Sequence, residues 1–354
     1  MSAGISGAAT GGGEAPPSGG RLGLARRDWL RLVAIVAGVL MLAALPALVP
    51  GFYVTLATRM LILGLFATAF NIVFGFGGMH SLGHAAFFGL GGYAVGLGVT
   101  RWEWGFVTIL VVAVALGAAV GLVYGVLTQR TNGIYLLLLT LALGQAVWGL
   151  AFQQVALTRG DNGIAGVERA VIPLVGAGAL SWYHFVVVVA LLGMGVLWWF
   201  TRSPVGRAIV GSRESRSRMA ALGFRVGVYR NVAFVVSGAF TALAGVLYAW
   251  HHRFVSPEML FWEMSALILV VAVIGGANTF LGPALGAAII VGLEFWVSLY
   301  TARWMSVLGL VYIATILLLP QGILGLFDRR RGAGTDGDDD GNDSGPVPAV
   351  EATR

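Results

Sequence analysis

The stretch from Arg202 to Arg230, RSPVGRAIVGSRESRSRMAALGFRVGVYR, carries seven arginines against a single acid, Glu214, and lies between long apolar runs. The rest of the chain is poor in charge: of 354 residues, 58% are hydrophobic and 11% charged, with a mean hydropathy of +0.85. Short loops rich in Lys and Arg resist translocation across a membrane, so this segment is expected on the cytoplasmic side. It is also the only internal loop large and polar enough to serve as a docking surface.

Repeated apolar runs of about 20 residues, each long enough to span a bilayer, place the chain among all-α polytopic membrane proteins. The 53 glycines fit that class, because small residues let helices approach closely. A formal charge of +6 would suit a nucleic-acid partner, but the arginines sit at the ends of apolar spans, where membrane topology accounts for them. Nucleic acid is therefore not an expected partner. The chain has no cysteine, which excludes disulfides, thiolate metal sites and cysteine nucleophiles.

Residues 1–30 are expected to form a disordered basic tail rich in Gly, Ala, Ser and Pro, 31–327 a transmembrane domain, and 328–354 a disordered acidic tail. Spans are expected near 32–50, 52–74, 80–100, 105–128, 133–157, 183–201, 231–251, 264–280, 283–300 and 306–320. Arg21, Arg26, Arg27 and Arg31 precede the first run, and Arg329, Arg330 and Arg331 follow the last. Six spans separate the basic N-terminus from the arginine loop and four separate that loop from the tail. Both counts are even, so all three clusters fall on one side and both termini are expected in the cytoplasm. The 80–100 segment is glycine-rich enough to be broken or re-entrant, and 264–280 meets 283–300 through a short turn at Gly282-Pro283. Eight full spans with two re-entrant segments keep the same parity, so the expected number is eight to ten.

Within the arginine loop, Ser203-Pro204 predicts a helix start and Gly223 a C-terminal cap, giving one amphipathic surface helix. Such a helix either rests on anionic lipid or inserts into a groove on a cytoplasmic partner. Gly75, Gly77, Gly78, Gly83, Gly89, Gly91, Gly92, Gly96 and Gly98 each cost a helix about 0.8–1 kcal/mol relative to alanine. They either serve close packing or interrupt a helix whose free backbone groups, with Ser81 and His84, line a polar cavity. Polar residues within spans are costly and therefore single out Arg59, Asn71, His84, Gln145, Gln153, Gln154, Asn278 and Glu294. Arg59 can snorkel to an interface, and Glu294, beside Phe295 and Trp296, can belong to an aromatic belt.

Some chemistry is ruled out. A Walker A loop needs a lysine, and all 22 basic residues are arginine. There is no G-x-S-x-G elbow and no His/Glu metal pair at helical spacing, so no enzyme, bound cofactor or metal is expected.

The order S-P-x-G-R-A, R-E-x-x-x-R, A-L-G in the arginine loop resembles the cytoplasmic loop of permease subunits of branched-chain amino acid ABC transporters. Ser81-Leu82-Gly83-His84-Ala85-Ala86-Phe87-Phe88-Gly89 followed by Gly91, Gly92 and Tyr93 is similar to a second family segment. So are Phe254-Val255-Ser256-Pro257, then Val273-Ile274-Gly275-Gly276, Gly282-Pro283 and Gly286-Ala287, and finally Leu319-Pro320-Gln321-Gly322-Ile323-Leu324-Gly325-Leu326. Thr158-Arg159-Gly160-Asp161-Asn162-Gly163-Ile164 resembles its outward T-G-G loop, where Arg159, Asp161, Glu168 and Arg169 either offer charge to a soluble binding protein or belong to an ordinary hydrated loop. The resemblance runs from about residue 32 to 327 and is nearest the larger of the two paralogous permeases, the LivM type. Asn278 and Thr279, Met79-His80 and Met219 depart from the pattern.

This resemblance implies a permease of the bacterial plasma membrane that works beside a paralogous permease, two cytoplasmic ATPases that consume the ATP, and an extracytoplasmic solute-binding protein. It implies an ATPase-coupling surface at Arg207, Arg213, Glu214, Arg216, Arg218, Ala220, Ala221 and Gly223. It also implies a substrate path near Asn71, Ser81, Gly83, His84, Gly89, Gly91, Gln145, Gly275 and Gly276. A urea or short-amide permease on the same scaffold is the near alternative. An ion-coupled secondary transporter, with Glu294 or His84 relaying protons, and a membrane enzyme are the distant ones.

Overall fold

The computed structural model describes residue 38 and residues 40–168, 178–301 and 303–318. The two expected tails, Arg169 and the run Leu319–Leu326 lie outside these residues. Residues 40–48 are helical and belong to a unit that ends at Val49; a second unit begins at Pro50.

The second unit is a helical bundle. Its helices are α1 (Gly51–Asn71, continued by a π-helical turn Ile72–Phe76), α2 (His84–Thr100), α3 (Phe106–Thr128), α4 (Gly133–Gln153), α5 (Ala179–Arg202), α6 (Pro204–Glu214), α7 (Arg216–Ala221), α8 (Val226–His252), α9 (Trp262–Gly275), α10 (Gly282–Tyr300) and α11 (Trp304–Leu318). The two-residue strands β1 (Ile164–Ala165) and β2 (Phe254–Val255) pair antiparallel. Six helices, α1 with its π turn, α3, α4, α5, α8 and α10, are long and apolar enough to cross a membrane. At 17 and 14 residues, α2 and α9 rise only about 25 and 21 Å, short of a hydrocarbon layer of about 30 Å.

Both short helices lie where the sequence predicts irregularity, although the breaks are displaced. Residues 77–83 are non-helical, so α2 begins at His84 and not near residue 80. Residues 276–281 form the connection expected at Gly282-Pro283, and that pair instead opens α10, where proline's missing N–H is harmless. Gly276 sits at φ 108°, a conformation strained for any residue with a Cβ, and it fixes where α9 stops.

At the centre of the bundle lies α8, packed most extensively on α3, then on α2 and α1. Gly117, Gly121 and Gly125 line one face of α3, and a Cβ on each would strike Gly238, Phe234 or Asn231 of α8. On the other side Gly91 meets the Ala242 backbone and Gly245 meets the Phe88 backbone. Close helix approach is thus what these glycines provide: without a hydrophobic drive between helices in lipid, packing contact holds the bundle.

The two ends of the bundle are distinct. At one end, Arg213 donates to the Gly75 carbonyl, Arg230 donates to the carbonyls of Gln129 and Thr131, and Asn71 donates to that of Thr279. At the opposite end Arg101 donates to the Ala156 carbonyl, Ile164 pairs with Val255, and Phe52 packs at a tilt against Phe295 with ring centroids 5.0 Å apart. From α1 onward the chain alternates between these ends.

Candidate functional site

The arginine-rich end is built from local signals. Ser203 caps α6 by accepting from Gly206 N–H at 3.1 Å, and Pro204 occupies the first turn. The expected single helix is two, because Ser215 adopts an extended conformation (φ −157°) and its hydroxyl accepts from Arg218 N–H, capping α7. A serine inside an apparent helix competes for backbone donors, and here it wins. Gly223, at φ 84°, closes α7 in the left-handed conformation as expected.

Ala208, Ile209 and Ser212 are buried against the bundle, whereas Arg207, Arg213, Glu214, Arg218, Ala220, Ala221 and Gly223 are exposed and Arg216 is half-buried. Leu222 is 71% exposed. With Val205, Phe224, Val228, Tyr229 and Val232 it lines an open groove of about 640 Å³ bordered by Arg225. Of the expected coupling residues Gly223 alone lines this apolar groove, which the sequence alone did not reveal.

Two of the arginines turn inward. The Arg213 guanidinium binds the Gly75 carbonyl within the π turn, and its methylene stem lies over Gly78. A π turn misaligns the backbone ladder and frees carbonyls for such partners. A second guanidinium, that of Arg230, is buried, with Nη1 at 2.9 Å from the Gln129 carbonyl and 3.2 Å from Asn132 Oδ1, and Nη2 at 2.9 Å from the Thr131 carbonyl. It caps the C-terminal end of α3, where carbonyls lack helical partners and positive charge is favoured.

Deeper in the bundle, the expected path residues engage one another. Ser237 donates its only hydroxyl proton to the Ala69 carbonyl at 2.7 Å, so its oxygen accepts from His84 Nε2–H at 3.0 Å. His84 Nδ1 then accepts from Ser81 Oγ at 3.0 Å, and Ser81 Oγ accepts from Gly83 N–H. Both ring nitrogens are satisfied, and the ring is fully buried among Phe70, Phe87 and Phe234. Gly83 packs on Thr140 and Tyr124, Gly89 on Leu260, and Gly91 on Ala242, while Gly275 meets Gly282 and Gly286. Asn71 is buried beside Gly75 and Ala277, and Gln145 is half-buried on α4. The expected path residues fall into two groups, one around His84 and one around Asn71, Gly275 and Gly276.

Toward the opposite end Arg59 and Glu294 form an ion pair: Nη2 lies 3.0 Å from Oε2 and 3.1 Å from Oε1, and Nη1 lies 3.2 Å from Oε1. The sequence marks each residue separately; nothing in it joins positions 235 apart. Gln153, Gln154, Arg159, Asp161 and Glu168 are exposed there, and Asn278 is exposed at the arginine-rich end. Among the described residues no group of side chains could hold a metal ion.

The family described as "Branched-chain amino acid transport system / permease component" matches residues 52–319. The high-affinity branched-chain amino acid transport system permease protein LivM of Escherichia coli K12 is 28% identical over 316 residues, covering 82% of this chain and 74% of that protein. LivH of Salmonella typhimurium, a permease protein of the system of the same name, is 26% identical over 289 residues, covering 74% of this chain and 90% of LivH. The autoinducer 2 import system permease protein LsrC of Salmonella typhimurium is 29% identical over a shorter stretch, 47% of this chain and 46% of LsrC. No solved structure matches the chain.

Proposed function

The chain belongs to the permease components of branched-chain amino acid ABC transporters, and from that membership we propose that it forms, with a paralogous permease, the membrane path for leucine, isoleucine, valine or a related apolar amino acid. Two separate ATPases supply the energy and an extracytoplasmic binding protein delivers the solute. The observation that carries the coupling role is the arginine-rich surface of α6 and α7: it is exposed, it borders an apolar groove, and through Arg213 it grips the π turn of α1.

Movement imposed on α6 by a closing ATPase dimer passes to Gly75, and from there to the 276–281 turn, which Asn71 holds through Thr279. Helices in direct contact shift together, so the bundle moves between outward-open and inward-open states. Between α1 and α11 the chain alternates between the two ends, six of its helices being long and apolar enough to cross a membrane. The arginine-rich end then faces the cytoplasm together with both termini. The His84 network serves this path by holding α1, α2 and α8 in register.

An ion-coupled carrier needs a membrane group free to titrate. Glu294 is paired with Arg59, and both nitrogens of His84 are engaged, which favours the ATP-driven reading. Proteoliposomes holding the complex made with its genomic neighbours, ATP and the cognate binding protein test it. ATP-dependent uptake of radiolabelled leucine, isoleucine or valine is expected; uptake of urea alone, or uptake driven by a proton gradient without ATP, would overturn it.

A further inference from the structure

Where α8 ends, Arg253 takes the left-handed conformation (φ 57°) and the chain enters β2 through the Phe254-Val255-Ser256-Pro257 motif. Pro257–Leu260 then forms a 3-10 turn that sets Met259 on Gly92 and Leu260 on Gly89 of α2, positions where a side chain would block it. The turn leaves a pocket of about 380 Å³, with Tyr248, His252, Phe254, Ser256, Glu258 and Met264 in its lining. Ligand pockets span about 300–1,000 Å³, so this one suits a small solute.

Its charges are unevenly matched. Arg59 and Glu294, which neutralise one another, lie outside its lining, whereas Glu258 is part of it. Glu258 is exposed and has no ion-pair partner among the described residues, and Arg59 keeps a buried Nε–H without an acceptor. One pocket thus presents an unpaired carboxylate, hydroxyls at Tyr248 and Ser256, the His252 imidazole, and an apolar wall of Phe254 and Met264. Its complement is a zwitterion with an apolar side chain: ammonium at Glu258, carboxylate near the hydroxyls of Tyr248 and Ser256, and hydrocarbon on the wall.

We infer that this pocket binds the zwitterionic head and apolar side chain of an α-amino acid, with Glu258 holding the ammonium group, at the end of the bundle opposite the arginine-rich loop. The inference rests on the permease reading and adds to it a site and a recognition chemistry.

Because the chain has no cysteine, Met264→Cys introduces the only thiol of this subunit. In the complete complex, with partner cysteines replaced, the thiol is exposed to membrane-impermeant methanethiosulfonates, one cationic and one anionic. The cationic reagent should react roughly fivefold faster, as expected for one unpaired carboxylate nearby. Leucine should slow the reaction and isocaproate, which lacks the ammonium group, should not; Glu258→Gln should abolish both the charge preference and the protection. An unreactive thiol, or one that leucine leaves unprotected, overturns the inference. Wild-type uptake is measured in parallel: ATP-dependent leucine uptake without protection overturns the pocket alone, and absent uptake overturns the permease reading together with it.

Discussion

The Arg213 guanidinium donates to the carbonyl of Gly75, 138 residues earlier in the chain, and so fastens the surface helix α6 to the π turn that ends α1. This is a charge-assisted hydrogen bond, of the kind worth about 1.5–3 kcal/mol. It joins the surface on which an ATPase would act to a membrane helix without passing through a covalent connection. Arg213→Ala is expected to leave ATPase binding intact, because Arg207, Arg218 and the apolar groove remain, and to lower ATP-dependent uptake at least about tenfold. Uptake and ATPase co-purification measured on the same preparation check this; parallel loss of both would mean that Arg213 only docks.

Arg59 and Glu294 should behave as a unit. Removing one partner leaves a part-buried charge uncompensated, whereas removing both leaves none. The pair is part-exposed, with side chains 28% and 22% accessible, so a coupling of about 1–2 kcal/mol is expected, below the range for a fully buried pair. Thermal unfolding of Arg59→Ala, Glu294→Ala and the double variant in detergent gives the coupling directly. Additive losses would contradict it.

Gly121→Leu is expected to disrupt the bundle, since even a Cβ would strike the Phe234 carbonyl of α8. Overpacking by several methylenes costs about 1–3 kcal/mol or more. Gly149→Ala, on the outer part of α4 with nothing within 4 Å of the added carbon, is the control and should be neutral or slightly stabilising. Fluorescence-detected size exclusion after graded heating separates the two. Equal thermostability would remove the close-packing account of the α3–α8 seam.

Ser237→Ala leaves the His84 Nε2–H and the Ala69 carbonyl without their partner in a fully buried site. A loss of about 1–3 kcal/mol in stability is expected. Ser81→Ala should cost a similar amount, by removing the donor to Nδ1. A variant with unchanged thermal stability would mean that water reaches the ring and that the cluster is open to the path.

Much of this architecture is legible in the sequence. Apolar run length gives the long helices, and Ser203, Pro204 and Gly223 mark the limits of the surface segment because cap and turn chemistry is local. Ser215 does not announce a break, since a serine in an amphipathic stretch is compatible with either outcome until its hydroxyl finds a backbone donor. The glycines of α3 and α2 announce close contact but not with which helix. Gly121 meets Phe234 and Gly91 meets Ala242 only once α8 is at the centre. Pairs such as Arg59–Glu294 and Arg213–Gly75 are beyond pattern reading, because 235 and 138 residues separate partners that meet only when the bundle closes. The pocket near Glu258 is hidden for the same reason, although the FVSP motif that shapes it stands in the sequence.

The central claim is that the exposed face of α6 and α7 receives the ATPases, and it is tested most directly by co-purification. The chain is expressed with its genomic neighbours, as wild type and as Arg207→Glu with Arg218→Glu, two exposed arginines. The account predicts that ATPase subunits co-elute with the wild type and are lost from the variant, while both permeases run as the same monodisperse species in detergent. ATPase retained at wild-type level by a folded variant would contradict it.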